Sequence, residues 1–332
     1  MNFKNYLLLI VLCVVTSQCQ SQTVNTKDMK KETNTNPLLC DPEKGFCEIP
    51  STNKTTDSLK KEQINKSIKI IYFTDPICSS CWGIEPQLRK LKLEYGKDIE
   101  IEYRMGGLLP DWSYNSGGIS KPSDVAHHWD EVSKYYDMPI DGDVWLTDPL
   151  SSSYPPSIAF KAAQLQGDKL AIDFLRRIRE MVFLEKKNIT KWEHLASAAK
   201  QVGLDTDKLK KDIAEKGKAL FEEDLKLAAT KGVRGFPTLF VSNSNKELIV
   251  YGFKPYNKFE ETINSLANIT KRDYGKTWEN LFLKYNTLTK KEFSILAEIS
   301  TSEAESQLNQ LVSNGKLIKY ETKNGAIWQL KQ

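Results

Sequence analysis

The sequence predicts an α/β fold with a large helical insertion, followed by a small helical unit that ends in a hairpin. Three observations carry this. A strand, a Cys-x-x-Cys and a helix follow one another from Ile68 to Gly96. A turn, two strands and a closing helix appear again from Gly232 to Leu266. Between these halves the apolar side chains recur at helical rather than alternating spacing. The 332 residues are 40% hydrophobic and 27% charged, which excludes a polytopic membrane protein and a wholly disordered chain. With 47 Lys and Arg against 43 Asp and Glu, the net charge of +4 calls for no nucleic-acid partner. Three histidines in the whole chain argue against a His-rich metal site.

Residues 1–18 read as a signal peptide. Tyr6–Val15 is an apolar run too short to span a bilayer as a helix, and Thr16, Ser17, Gln18 and Cys19 follow it. Cys19 stands where a bacterial lipoprotein carries its modified cysteine, with Thr16 and Gln18 at positions where that motif takes Leu and a small residue. The expected location is the cell envelope or periplasm, with a lipid anchor at Cys19. Of six cysteines, Cys13 and Cys19 belong to this leader, which leaves two close pairs, Cys40/Cys47 and Cys78/Cys81.

Residues 19–66 are rich in Asn, Thr, Ser and Lys, with Phe46 as the lone aromatic, and read as a flexible tether. Within it, Pro42 and Gly45 favour a turn that brings Cys40 and Cys47 together. Three readings stay open for that pair: a local structural disulfide, a redox relay, or a share in a zinc site.

Residues 67–270 form the main domain. Ile70–Phe73 reads as a buried central strand, stopped by Asp75-Pro76. Ile84, Leu88 and Leu91 mark the helix after Cys81, and Ile99, Ile101 and Tyr103 alternate with charged residues as a half-exposed strand. A cysteine in the first turn of a helix faces unsatisfied N–H groups that favour its thiolate, so Cys78 is expected to titrate low. The thiolate attacks a disulfide, and a second cysteine one turn on releases the product. A structural disulfide and half a zinc site are the bland alternatives for this motif. Downstream, Pro237 enters the strand Thr238–Val241 and has no N–H for the ladder. A cis bond there would present a backbone edge to a peptide, whereas an ordinary trans proline would not.

The stretches Phe73–Pro86, Trp145–Pro149, Ser153–Pro156 and Gly232–Thr238 resemble the DsbA-type thioredoxin-fold oxidoreductases, and most closely their FrnE-like branch. The resemblance covers about Ile68 to Leu266 and implies a thioredoxin-like fold. It also implies Cys78 as nucleophile, Cys81 as resolving cysteine, Pro237 as the cis-proline and Pro86 as a helix kink. Phe236 and Trp82 become candidates for the substrate groove. Departures are Ser79-Ser80 between the cysteines, without the His of strongly oxidising members, and Tyr72 where the superfamily often buries a carboxylate. An export signal is a third, since many FrnE-like relatives lack one.

The insertion, roughly 120–231, shows helical spacing at Ala159–Leu165, Ala171–Leu184 and Trp192–Ala199, with Thr190 and Glu193 as a capping box. It matches the helical lid of DsbA-like proteins. His127 and His128 read as ordinary residues, and Trp112, Trp129 and Trp145 as groove or core in equal measure. Residues 274–332 give helix, turn, helix and a hairpin around Asn324-Gly325, similar to a small winged-helix module. Its second helix carries Glu303 and Glu305 without Lys or Arg, which is wrong for phosphate contact. The expected function is thiol–disulfide exchange on protein clients, with a redox partner protein and neither cofactor nor metal. A non-catalytic client-binding adaptor and a glutathione-dependent isomerase are the alternatives.

Overall fold

The strand that carries the cysteine motif is the axis of the molecule. In the computed structural model the residues described are Cys40, Asp41, Phe46–Glu48, 67–113 and 120–331. The signal segment, Cys19 and most of the tether fall outside them. The chain divides at Asn34, and every described residue belongs to the unit from Asn34 to Gln332. In chain order the first half comprises β1 (Cys40–Asp41), β2 (Phe46–Glu48), β3 (Ile68–Thr74), α1 (Ser79–Gly83), α2 (Glu85–Tyr95) and β4 (Ile99–Met105). Pro86 stands in the first turn of α2, and the helix breaks between α1 and α2 at Ile84. That is where a missing N–H costs nothing, since first-turn donors have no intrahelical acceptor.

The insertion holds α3 (Pro122–Tyr136), α4 (Val144–Thr147), α5 (Tyr154–Gln164), α6 (Asp168–Leu184), α7 (Trp192–Gln201), α8 (Thr206–Asp212) and α9 (Lys218–Thr230). A π-helical turn, Ile213–Gly217, joins α8 to α9. The capping box expected at Thr190 does not form. Lys191 is the residue ahead of α7, and Thr190 instead gives its hydroxyl and N–H to the Asn188 side chain. A local Asn acceptor two residues away competes successfully with the helix end.

The second half supplies β5 (Gly235–Phe236), β6 (Thr238–Ser242), β7 (Glu247–Tyr251) and α10 (Tyr256–Asn264). The main sheet runs β4-β3-β6-β7, with β3 parallel to β4 and antiparallel to β6, and β7 antiparallel to β6. β3 is buried on both faces only toward its C-terminal end, Tyr72 to Thr74, where helices cover the sheet. Lys69 remains exposed. A second, three-stranded sheet runs β1-β2-β5. The segment expected as a flexible tether with a turn between Cys40 and Cys47 contributes two strands, in which those cysteines stand opposite each other.

The C-terminal segment holds α11 (Trp278–Lys284), β8 (Thr287–Thr289), α12 (Lys290–Ala297), α13 (Thr301–Ser313), β9 (Leu317–Thr322) and β10 (Gly325–Leu330), with sheet order β8-β10-β9. Capping boxes at Thr289/Glu292 and Ser300/Glu303 start its two longer helices. It has its own core, which includes Phe282, Phe293, Leu296, Leu308 and Trp328. Polar contacts tie it to the insertion and to α2. The buried Glu292 accepts two bonds from Arg176, at 2.8 and 3.0 Å, and Arg89 donates to the Thr287 carbonyl at 2.8 Å.

Candidate active site

The main sheet delivers its chemistry to one end. β3 ends at Thr74, and Asp75 shapes the loop that leads to Cys78. Its buried carboxylate accepts from the Ile77 N–H (3.0 Å), the Leu108 N–H (2.8 Å) and the Ser153 hydroxyl (2.8 Å). Cys78 is the N-cap of α1, and its Sγ accepts from the Cys81 N–H at 3.2 Å. One turn on, Cys81 lies inside the helix. The Ser80 hydroxyl bonds the Tyr136 hydroxyl of α3 at 2.6 Å, which fixes the dipeptide between the cysteines against the insertion.

Pro237 comes from the far half of the chain. The Phe236–Pro237 peptide bond is cis. Phe73 pairs with Thr238, so Pro237 stands at the same end of the sheet as Thr74 and the loop into Cys78. The Phe236 ring is fully buried and lies on Gly106, where an added Cβ would meet Phe236 Cζ at 1.8 Å. Gly106 in turn donates its N–H to the Thr74 carbonyl at 2.8 Å, so the two halves of the site are joined through this glycine. The Phe236 side chain thus packs inward, and its backbone pairs with β2.

Trp82 also turns inward. It has no exposed surface, stacks on Phe183 with ring centres 5.5 Å apart, carries Arg176 over its ring at 4.2 Å, and donates to the Pro139 carbonyl at 3.0 Å. It belongs to an aromatic core with Trp129 and Trp145 rather than to a groove wall. The reason is geometric: the residue after Cys81 faces the insertion, and α6 closes over it.

Sequence reasoning missed Arg179. This side chain is fully buried in α6 and donates to Glu85 (2.7 Å), the Thr74 hydroxyl (2.5 Å) and the Asp75 carbonyl (3.1 Å). A signal existed. Arg179 continues the apolar stripe Ala171–Leu175 at four-residue steps, a position where a cation needs a buried partner. Tyr136 gave no comparable signal.

Electrostatics place the charge differently from expectation. Burial pushes the Cys78 thiol well up, and the adjoining Cys81 sulfur and the Asp75 carboxylate add to the effect. At Cys81 burial also opposes the thiolate, but the hydrogen bond from Cys78, the Arg179 guanidinium and the Thr74 and Tyr72 hydroxyls outweigh it. Cys81 therefore titrates below an ordinary thiol. The expected low value at Cys78 is corrected for this covered state, because full desolvation outweighs the single backbone N–H at the helix start. The Arg179 guanidinium favours the thiolate at Cys81. Burial also raises the Asp75 carboxyl to about 6, against three hydrogen bonds that favour its charged form. Among the described residues no cluster of three or more potential metal ligands occurs. His127 is exposed and pairs with Glu131 at 3.1 Å, four residues on in α3.

A Cys-x-x-Cys at a helix start, a cis-proline before a strand and a central sheet shared between two sequence halves define a thioredoxin-like fold with a helical insertion. A model of the thioredoxin family matches residues 72–261, and the chain belongs to that family. It is similar along most of its length to a ClpXP adapter protein SpxH from Halalkalibacterium halodurans, 35% identical over 302 residues, or 89% of this chain and 97% of that one. The SpxH of Bacillus subtilis is 32% identical over 272 residues, 80% of this chain and 89% of the relative. Among solved structures, the cytosolic disulfide reductase DsbM from Pseudomonas aeruginosa shares the fold. It has a TM-score of 0.50 and 22% identity, and the match covers 60% of this chain and all of DsbM.

Proposed function

We propose that this protein exchanges disulfides with protein clients that lie extended beside Phe236 and Pro237. One observation carries the reading: Cys78 caps α1, Cys81 follows one turn later, and both stand at the sheet end that holds Pro237. In this reading Cys78 attacks the client sulfur and Cys81 resolves the mixed disulfide. The Arg179 guanidinium and the Thr74 and Tyr72 hydroxyls, which favour the Cys81 thiolate, support that second step. A redox partner protein restores the pair. We further read the site as FrnE-like in branch. The chain is read as exported and held at the cell envelope by a lipid on Cys19, on the strength of Tyr6–Val15 and the cysteine that follows. The C-terminal unit is read as winged-helix-like and as a protein-contact element.

A second reading has its own support. Relatives that match 80–89% of the chain are named as ClpXP adapters. In that reading the groove and the C-terminal unit hold a client without turnover, and the cysteines are dispensable for binding.

Trapping separates the two. In Cys81→Ala, attack by Cys78 proceeds but resolution fails, so mixed disulfides with clients accumulate as bands on non-reducing gels that vanish with reductant. If Cys78→Ser captures the same clients as the wild type, and Cys81→Ala traps nothing covalently, exchange is excluded and the adapter reading stands.

A further inference from the structure

Strand β2 occupies the edge where a client would add. It pairs antiparallel with β5, with Cys47 opposite Phe236 and Glu48 opposite Gly235. Its other edge pairs with β1, where Cys40 stands opposite Cys47 and Asp41 opposite Phe46. An extended peptide that joins a sheet edge takes its affinity from such main-chain bonds, and its register decides which residue meets the site. Here the register brings a cysteine next to the residue that precedes Pro237. β2 also packs against α1, the helix that Cys78 caps. Cys78 itself has no exposed surface, although a client must reach its sulfur.

The pairing of β1 with β2 adds a second point. Directly opposed residues of an antiparallel pair have Cα atoms about 4.5–5.5 Å apart. A disulfide bridges Cα separations of about 4.4–6.8 Å. The two tail cysteines therefore hold a register that admits a cross-strand disulfide, and the inner of the two is at the client position.

We propose that the Cys40–Cys47 hairpin is an intrachain exchange partner of Cys78 and Cys81, held as a resident client on β5. The proposal rests on the reading of Cys78 and Cys81 as an exchange pair. The Cys78 thiol gives its proton to water and its sulfur attacks the Cys47 sulfur of a Cys40–Cys47 disulfide. The Cys78–Cys47 bond forms as the Cys40–Cys47 bond breaks, and Cys40 leaves as a thiolate that takes a proton from water. The Cys81 thiolate then attacks the Cys78 sulfur, and Cys47 leaves as a thiolate. Two electrons pass from the Cys78/Cys81 pair to the hairpin, whose disulfide is the oxidant. The reverse sequence reoxidises the hairpin from the site. Cys47 rather than Cys40 is attacked because Cys40 lies one strand further from β5. Tethering makes the step unimolecular, with an effective concentration in the millimolar range for a short linker. External clients must displace β2 to compete.

The test uses the full chain as Cys40→Ser/Cys81→Ala and as Cys47→Ser/Cys81→Ala, oxidised with diamide and mapped by peptide mass spectrometry without reduction. A Cys47–Cys78 linked peptide is expected in the first variant, independent of protein concentration. It should form roughly tenfold or more faster than a Cys40–Cys78 link in the second. Equal rates, or no intrachain link, overturn the proposal. A cysteine-containing model peptide offered to Cys81→Ala distinguishes the two levels of failure. A mixed disulfide with the peptide but no Cys47–Cys78 link rejects only the hairpin's role. Failure of both rejects the exchange reading as well.

Discussion

Replacing Arg179 by Gln should unsettle the fold and the thiols together. Arg179 makes three buried hydrogen bonds, one of them to the Glu85 carboxylate. Glu85 is only 9% exposed, so loss of the guanidinium strands a buried charge. Breaking a buried ion pair from one side costs about 3–5 kcal/mol. For a domain of this size that is a fall in Tm of about 6–20 °C. The cation is also a main force that lowers Cys81, so the Cys81 thiol should move up. The thiolate fraction of Cys81 falls with that upward movement, and resolution of mixed disulfides slows with it. Arg179→Lys keeps a cation but not the fork of bonds, so it should lose stability while it retains part of the Cys81 effect. Thermal denaturation followed by circular dichroism reads the first effect. Thiolate ultraviolet absorbance against pH, with alkylation rates at neutral pH, reads the second. If the titration of folded Arg179→Gln superimposes on that of the wild type, Arg179 does not hold the charge at Cys81. A Tm unchanged within error would refute the buried-pair argument.

Gly106→Ala should act on the groove from behind. The new Cβ would lie 1.8 Å from Phe236 Cζ and 2.0 Å from Cε1, so the ring must retreat by about 2 Å to reach van der Waals contact. Overpacking of this kind costs about 1–3 kcal/mol. The trapping yield of Cys81→Ala should fall as β5 shifts, and unchanged Tm and yield together would show that the ring does not hold the strand. A third prediction concerns pH. The Asp75 carboxyl, at about 6 when folded, binds its proton more tightly than in the unfolded chain, so stability is greatest below the ordinary carboxylate range and falls as pH rises through 6. The loss amounts to about 3 kcal/mol across that window. In Asp75→Asn this part of the slope should vanish from urea midpoints measured between about pH 4 and pH 7. A slope equal to that of the wild type would contradict it.

Much of this protein is local information. β3, the helix after Cys81, β6 and β7, and the C-terminal helices and hairpin follow from apolar spacing, capping residues and turn chemistry, each confined to a dozen residues. The Cys78/Cys81 motif stood out by its place between a strand and a helix, whereas the cis bond before Pro237 was an expectation of the family resemblance. What only the tertiary structure decided are meetings between distant segments. Arg179 reaches Glu85 across 94 residues, Phe236 rests on Gly106, Trp82 faces Phe183 rather than a groove, and Cys47 falls opposite Phe236. No spacing rule encodes these, because which buried faces come together depends on how the insertion closes over the sheet. The state of the cysteines follows from that closure. A helix start alone favours the thiolate at Cys78, whereas burial pushes that thiol up and a cation from α6 favours the thiolate at Cys81.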